Sequence, residues 1–177
     1  MYTKFHVRGD ILTSIAQKKA LIIRSASFQQ LDRNLQDIQK ALPDYSFHML
    51  THEHGVKLAE KYASIEHIYV YPHKNSFHIL NRTPELRGKT FDMIIIPVTN
   101  ISGAGFMNVF LFSLSIKASN RYQCNMLSEM KRKNSLSILA MLLLSTVFKL
   151  FSILFTTILT IPVVLLLLLK FGQIQKK

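Results

Sequence analysis

The C-terminal quarter of the chain constrains the fold more than any other part of the sequence. Residues 135–169 form a run of 35 residues whose only charged side chain is Lys149, and residues 150–169 carry no charge at all. A helix of 20 residues is about 30 Å long, which is the hydrocarbon thickness of a bilayer. Because a segment in lipid must satisfy its own backbone hydrogen bonds, the sequence predicts a membrane-inserted helix with its main span at residues 150–169.

Two arrangements of this tail are open at the level of sequence. In the first, residues 150–169 cross the membrane and residues 135–148 extend the helix or lie in the interface. In the second, the whole stretch is a hairpin that enters and leaves on one side. Basic clusters at both ends favour the hairpin through the positive-inside tendency, whereas legs of about 16 residues are short for a crossing. We take the single span as the preferred arrangement.

The basic charge of the chain belongs largely to the tail and its flanks. The formal net charge is +12, and all ten acidic residues lie at or before Glu129. Cations beside an apolar span suit anionic headgroups and retention on the cytoplasmic side. We therefore expect membrane lipid as a partner and no nucleic acid, with the soluble part in the cytoplasm and the tail in the inner (cytoplasmic) membrane.

The N-terminal region has the composition of a cytoplasmic protein. Cys124 is the only cysteine, so one chain cannot build a disulfide framework, and this fits a reducing compartment. Residues 1–19 lack the apolar core of a signal peptide and are predicted to be a polar leader. A single domain at residues 20–130 and the basic-flanked membrane segment at 131–177 complete the predicted organisation.

Short apolar runs alternate with amphipathic stretches through residues 20–130. Strands are predicted at 20–24, 45–50, 65–71, 91–98 and 121–124, and helical segments at 28–42, 53–62, 84–88 and 108–118. This alternation predicts an α/β fold, a Rossmann-like parallel sheet with flanking helices. The runs LII and MIII are apolar without alternation, as expected for strands that are buried on both faces.

Two loops of this predicted sheet are candidates for a ligand site, because open parallel sheets bind ligands beyond the carboxyl ends of their strands. Residues 99–108 (TNISGAGFMN) place two glycines, which permit close backbone approach, among neutral polar side chains ahead of a helix. Residues 25–30 (SASFQQ) follow an arginine at the end of the first strand. The predicted ligand-binding residues are Arg24, Ser25, Ser27, Asn100, Ser102, Gly103, Gly105 and Asn108.

Structural explanations compete with ligand binding at both loops. The spacing GxGxxN is a weak match to a dinucleotide fingerprint, so the glycines can equally serve a turn that lets the helix pack on the strand. Ser27 is placed to cap the following helix. His52 and His54 flank Glu53 and amount to half of a metal site at most, so we predict no metal and no cofactor. Since GxSxG is absent, the sequence assigns no catalytic residue.

The sequence also resembles a known family over about residues 20–125. Residues 20–71, from ALIIRSASFQQLDRNLQ to IEHIYVY, look like the opening lobe of bacterial heptosyltransferase-type (ADP-heptose:lipopolysaccharide) glycosyltransferases, and FDMIIIP resembles a later strand of that lobe. The resemblance implies a Rossmann-like lobe of a two-lobed fold that acts in building cell-surface saccharide. The family has Gly-Asp after its first strand, with a catalytic Asp. Here that stretch reads SASFQQLD, with Asp32 further along.

The resemblance leads to a hypothesis about function. A membrane tail follows where the family has its second lobe, which holds the sugar-nucleotide donor. We expect a membrane-anchored acceptor-lobe protein in polysaccharide or glycolipid assembly, incomplete as an enzyme alone, with a nucleotide-sugar or glycan ligand. A protein partner or a second copy would supply the missing half. The alternative is a non-catalytic membrane scaffold that docks a partner enzyme.

Overall fold

A computed structural model describes residues 17–81 and 83–174, with the backbone alone for Leu169 and residues 172–174. The chain divides into two compact units, Met1–Arg132 and Lys133–Lys177. The predicted polar leader therefore falls largely outside the described residues.

The first unit is built on a six-stranded sheet. Its strands are β1 (Lys18–Ile23), β2 (Tyr45–His52), β3 (Ile65–Tyr71), β4 (Thr90–Pro97), β5 (Lys117–Cys124) and β6 (Met130–Arg132). Their spatial order is β3-β2-β1-β4-β5-β6. The first five strands are parallel, and only β6 runs antiparallel to its neighbour, β5. The predicted α/β fold class is confirmed. Because the chain order reverses between β1 and β4, the crevice for a ligand opens at their carboxyl ends.

Within the described residues of this unit, three helices and two 3₁₀ turns connect the strands. The helices are α1 (Phe28–Ala41), α2 (Val56–Ala59) and α3 (Met107–Ser113), and the 3₁₀ turns are Glu53–Gly55 and Pro84–Leu86. In α1 the side chains of Leu31, Leu35 and Ile38 share one face and are buried in the core that covers one side of the sheet. On α3, Phe112 packs edge-on to the ring of Tyr71, with 5.4 Å between the centroids.

Two helices are shorter than the sequence pattern predicts. The segment predicted as a helix at 53–62 contains a 3₁₀ turn and one turn of α2, and the helix predicted at 108–118 ends at Ser113. Lys117 and Ala118 instead begin β5, where they pair with Thr90 and Phe91 of β4. The apolar periodicity of 108–118 is therefore overridden by the backbone hydrogen bonds available beside β4. The short strand β6 was not predicted.

The second unit consists of one long helix, α4 (Ser135–Ile174), with Pro162 inside it. Its residues Ser135–Leu168 have a mean hydropathy of 2.5 in the most apolar window, and no residue of that window is buried. By length and composition this helix can cross a membrane. No turn interrupts this helix, so the described part of the tail is a single helix and not a hairpin. At 1.5 Å per residue its 40 residues reach about 60 Å, so about half of them suffice for a hydrocarbon core.

Candidate functional site

The segments that follow four neighbouring strands enclose a cleft at the carboxyl edge of the sheet. Its volume is about 340 Å³. We call it the carboxyl-edge cleft, and it is lined by Arg24, Ser25, His52, His54, Ser76, Phe77, Gly105, Phe106, Asn108 and Val109. It lies at the reversal of strand order between β1 and β4, where open parallel sheets bind ligands.

Arg24 is the only arginine or lysine that lines the cleft among the described residues. Its Nε donates to Thr51 Oγ1 at 2.7 Å, its Nη1 donates to Ala26 O at 3.4 Å, and its Nη2 lies 3.4 Å from His54 Nε2. The guanidinium also lies over the ring of Phe28, 4.7 Å from the centroid. Burial lowers the pKa of Arg24. Within the described part of the chain no carboxylate pairs with it, so neutral groups hold the cation in place and its charge is not neutralised.

Two histidines form the wall beside Arg24. The rings of His52 and His54 stack with 5.5 Å between their centroids, and His52 Nε2 lies 3.1 Å from Asn75 O. Burial lowers the pKa of His52, with a smaller contribution from the charge of Arg24. His52 and His54 also line an adjoining recess of about 320 Å³, whose other lining residues include Lys74. Glu53 lines that recess as well, so this part of the edge carries one acidic side chain among its basic ones.

The serines of the first loop have structural roles. Ser25 Oγ donates to Pro97 O at 2.5 Å and so joins the carboxyl ends of β1 and β4. Ser27 Oγ accepts from Gln30 N at 3.3 Å and caps α1. Ser25 lines the cleft and Ser27 does not.

The polar groups of the glycine loop are used within the loop. Asn100 Oδ1 accepts from Gly103 N at 2.6 Å, and its Nδ2 donates to Ala104 O at 2.8 Å. Ser102 Oγ accepts from Ala104 N at 3.2 Å. Of the predicted site residues, the cleft lining thus brings together Arg24, Ser25, Gly105 and Asn108, whereas Ser27, Asn100, Ser102 and Gly103 are not part of it.

Gly103 is required by packing as well as by backbone conformation. Its φ is +78°, which L side chains rarely adopt. A Cβ at this position would lie 2.7 Å from Gln123 Oε1 and 3.1 Å from the ring of Phe110. Gly105 also has a positive φ, +86°, yet nothing lies within 4 Å of the Cβ that it would carry. The two glycines therefore differ: Gly103 seats the loop on β5, and Gly105 faces open space at the cleft.

Sequence reasoning missed the contribution of the second and third strands. His52 ends β2, His54 follows it, and Phe77 follows β3. Both strands run parallel to β1 in the same sheet, so the rule that pointed to Arg24 applied to these residues too. The histidines were considered only as metal ligands. Across residues 17–81 and 83–174, no group of three His, Cys, Asp or Glu side chains is arranged to hold a metal ion.

Two aspartates of the first unit, Asp32 and Asp92, are absent from the lining of the cleft. Asp32, on α1, accepts a hydrogen bond from the phenol of Tyr62, whose pKa is raised by burial and by this carboxylate. Asp92, near the start of β4, accepts from Lys19 N at 2.8 Å. Asp10 lies outside the described residues. No carboxylate lines the carboxyl-edge cleft in the described part of the chain, so the cleft offers no carboxylate base.

Comparison with known proteins gives one structural likeness. No protein-family model matches the sequence, and no curated protein matches it. Among solved structures, E. coli heptosyltransferase WaaC with ADP aligns with a TM-score of 0.44 and 17% sequence identity, over 66% of this chain and 41% of that enzyme. The predicted resemblance to heptosyltransferase-type glycosyltransferases is confirmed as a loose structural resemblance. The chain covers less than half of the enzyme's length.

Proposed function

We propose that this protein is a membrane-anchored, glycosyltransferase-like protein that binds a phosphate-bearing saccharide or nucleotide sugar at the carboxyl-edge cleft. The observation that carries the proposal is Arg24, a half-buried cation fixed by Thr51 and Phe28 and paired with no carboxylate among the described residues. A guanidinium held in this way matches phosphate in charge and in geometry. Such binding would contribute to the assembly of cell-surface polysaccharide or glycolipid at the cytoplasmic face of the inner membrane.

The rest of the cleft suits the non-phosphate part of such a ligand. Phe77 and Phe106 offer apolar surface to a sugar ring or a base, and Ser76 and Asn108 offer neutral hydrogen-bonding groups. The described lining of the cleft contains no carboxylate that could take the role of the catalytic Asp in the family that this chain resembles. We therefore propose that catalysis, where it occurs, needs a second lobe from a partner chain or from another copy of this protein.

The proposal is tested by titrating the full chain in phosphatidylcholine nanodiscs with ADP-heptose, with lipid A and with glucose as the uncharged control. We expect the two phosphorylated compounds to bind and glucose not to bind. Replacing Arg24→Gln should weaken binding about tenfold or more, because a charge-assisted hydrogen bond is lost. Arg24→Lys should retain part of the affinity.

The matched control is Lys57→Gln, an exposed charge of the same sign on α2. It should leave the affinity within about twofold. The proposal would be contradicted if neither phosphorylated compound binds. It would also be contradicted if Arg24→Gln and the unaltered chain bind them with equal affinity. Thermal melting of each variant shows whether a lost affinity reflects a lost fold.

A non-catalytic scaffold is the second candidate function. The observation that favours it is the same lack of a carboxylate in the described lining of the cleft. In that case the first unit docks a partner enzyme at the membrane and has no affinity for phosphorylated sugars. Stable co-purification of a glycosyltransferase with the full chain, unchanged in Arg24→Gln, would support the scaffold over ligand binding.

A further inference from the structure

A second cavity lies at the end of the sheet opposite the carboxyl-edge cleft. It has a volume of about 470 Å³ and is bordered by Gly88 and Lys89, just before β4, and by Ser115–Lys117, at the start of β5. We call it the amino-edge cavity. The two cavities share no lining residue, and the rings of Phe112 here and Phe77 in the carboxyl-edge cleft pack together between them, 5.1 Å apart at their centroids. Its volume is in the range of small-molecule sites, about 300–1,000 Å³.

The floor of the amino-edge cavity is apolar. Leu86, Phe112 and Ile116 line it and are almost fully buried, with 7%, 0% and 5% of their surfaces exposed. Ile79 lines it from the loop before β4 and is 38% exposed. A ligand that contacts these four side chains needs an apolar group of its own.

The lining charges of the cavity are all positive. Arg87, Lys89 and Lys117 line it, and no acidic residue does so among the described residues. The nearest acid in sequence, Glu85, is engaged elsewhere, since its Oε2 accepts from Val70 N of β3 at 3.3 Å. Lys89 is held by Tyr69, whose hydroxyl accepts from Nζ at 3.2 Å. Three cations without a neutralising carboxylate attract an anion.

A buried hydroxyl without a partner adds an independent sign of a ligand. Thr83 lines the cavity and is 6% exposed, and its Oγ1 makes no hydrogen bond among the described residues. Buried polar atoms are nearly always hydrogen-bonded, because an unpaired one costs free energy. A ligand oxygen in the cavity would supply the missing partner.

We propose that the amino-edge cavity is a binding site for a phosphate monoester of an apolar alcohol. The phosphate is held by Arg87 and Lys117, with Thr83 as a neutral partner, and the apolar group rests on Leu86, Phe112 and Ile116. Phosphate satisfies several donors at once, and a positive site with an apolar floor selects the ester over the free ion or the free alcohol.

The test is calorimetric titration of the full chain in phosphatidylcholine nanodiscs with 2-naphthyl phosphate, inorganic phosphate and 2-naphthol. We expect 2-naphthyl phosphate to bind at least about tenfold more tightly than either fragment. The double replacement Arg87→Gln with Lys117→Gln should weaken it about tenfold or more. Ile79→Ser should weaken the binding of 2-naphthyl phosphate and leave the binding of inorganic phosphate unaffected.

Two controls separate this site from charge alone and from the carboxyl-edge cleft. The double replacement Lys57→Gln with Lys61→Gln removes two exposed charges from another surface and should leave the affinity unchanged. Because the carboxyl-edge cleft is itself proposed to bind phosphate, the titration is repeated in an Arg24→Gln background, where the amino-edge cavity should still bind 2-naphthyl phosphate. No binding of 2-naphthyl phosphate, equal weakening by the Lys57/Lys61 control, or loss of binding in Arg24→Gln but not in the Arg87/Lys117 variant would overturn the proposal.

Discussion

The two loops at the carboxyl ends of β1 and β4 look alike in sequence and differ in what they offer to a ligand. Both are short, polar and placed at the reversal of strand order. After β4, the side chains of Asn100 and Ser102 form hydrogen bonds with the backbone of their own loop. After β1, Arg24 is fixed by neutral partners and keeps an uncompensated charge at the cleft. The comparison shows that two polar loops at the same edge of a sheet differ in how much of their hydrogen-bonding capacity and charge the fold already satisfies.

The largest expected effect separates the two glycines of the β4 loop. Gly103→Ala should lower the free energy of unfolding by about 2–3 kcal/mol, because it combines a left-handed backbone with a Cβ pressed against Gln123. Gly105→Ala has the same backbone strain with open space and should cost about 1 kcal/mol. Urea unfolding followed by tyrosine fluorescence measures both, since all six tyrosines lie before Lys133. Equal losses at the two positions would contradict the packing role of Gly103.

Asn100→Ala should have the next largest effect. It removes two hydrogen bonds, to Gly103 N and Ala104 O, and should cost about 1–2 kcal/mol of unfolding free energy. The affinity for ADP-heptose should stay within about twofold, because Asn100 does not line the cleft. A tenfold loss of affinity with an unchanged urea midpoint would instead make Asn100 a ligand contact. Ser102→Ala, exposed and with one hydrogen bond, is the milder control.

Ser27→Ala tests the structural role of the β1 loop. Loss of the cap at α1 should cost about 1 kcal/mol in the same urea experiment. Ser27→Asp should restore the stability, because its carboxylate caps the helix and also suits the positive end of the helix dipole. Failure of Asp to rescue would show that Ser27 acts in some way other than as a cap.

The smallest expected effect is a pH dependence of stability from two histidines of β2: His52, in the cleft wall, and His48, which is buried within the strand. Burial lowers the pKa of both His48 and His52 in the folded protein, so the unfolded chain binds protons more readily. Their contribution to stability is complete above about pH 6.5 and is lost as the pH falls from there through the folded pKa. The melting temperature should therefore fall between pH 7.5 and pH 5.5, and less so in His52→Gln. An identical fall of the melting temperature in His52→Gln would show that His52 does not contribute to the pH dependence.

Much of the fold could be predicted from the sequence because its periodicity is strong. The strand at 65–71 and the helix beginning at Phe28 occur where the pattern places them. The strand IEHIYVY is rich in β-branched and aromatic residues, and α1 repeats its apolar residues every three or four positions. The end of α3 could not be predicted, because the residues after Ser113 exchange helical hydrogen bonds for pairing with β4. That choice depends on a neighbour that is distant in sequence.

The candidate site could be predicted only in part, because it too depends on segments that are distant in sequence. Arg24 and Gly105 are at the cleft because any residue that follows β1 or β4 lies at that edge. His52, His54 and Phe77 were not assigned to the cleft. The order of the strands in the sheet decides which loops share a cleft, and no local sequence pattern predicts that order. Whether Asn100 faces a ligand or its own loop is likewise decided by backbone geometry.

The sequence by itself determined that this chain has an apolar C-terminal helix and an N-terminal α/β sheet, because hydropathy and period are local properties of consecutive residues. Only the tertiary structure decided that Arg24 has no carboxylate partner among the described residues, that the glycine loop satisfies itself, and that three cations surround an apolar cavity at the other end of the sheet. Those facts depend on distances between segments far apart in the chain, and packing sets these distances.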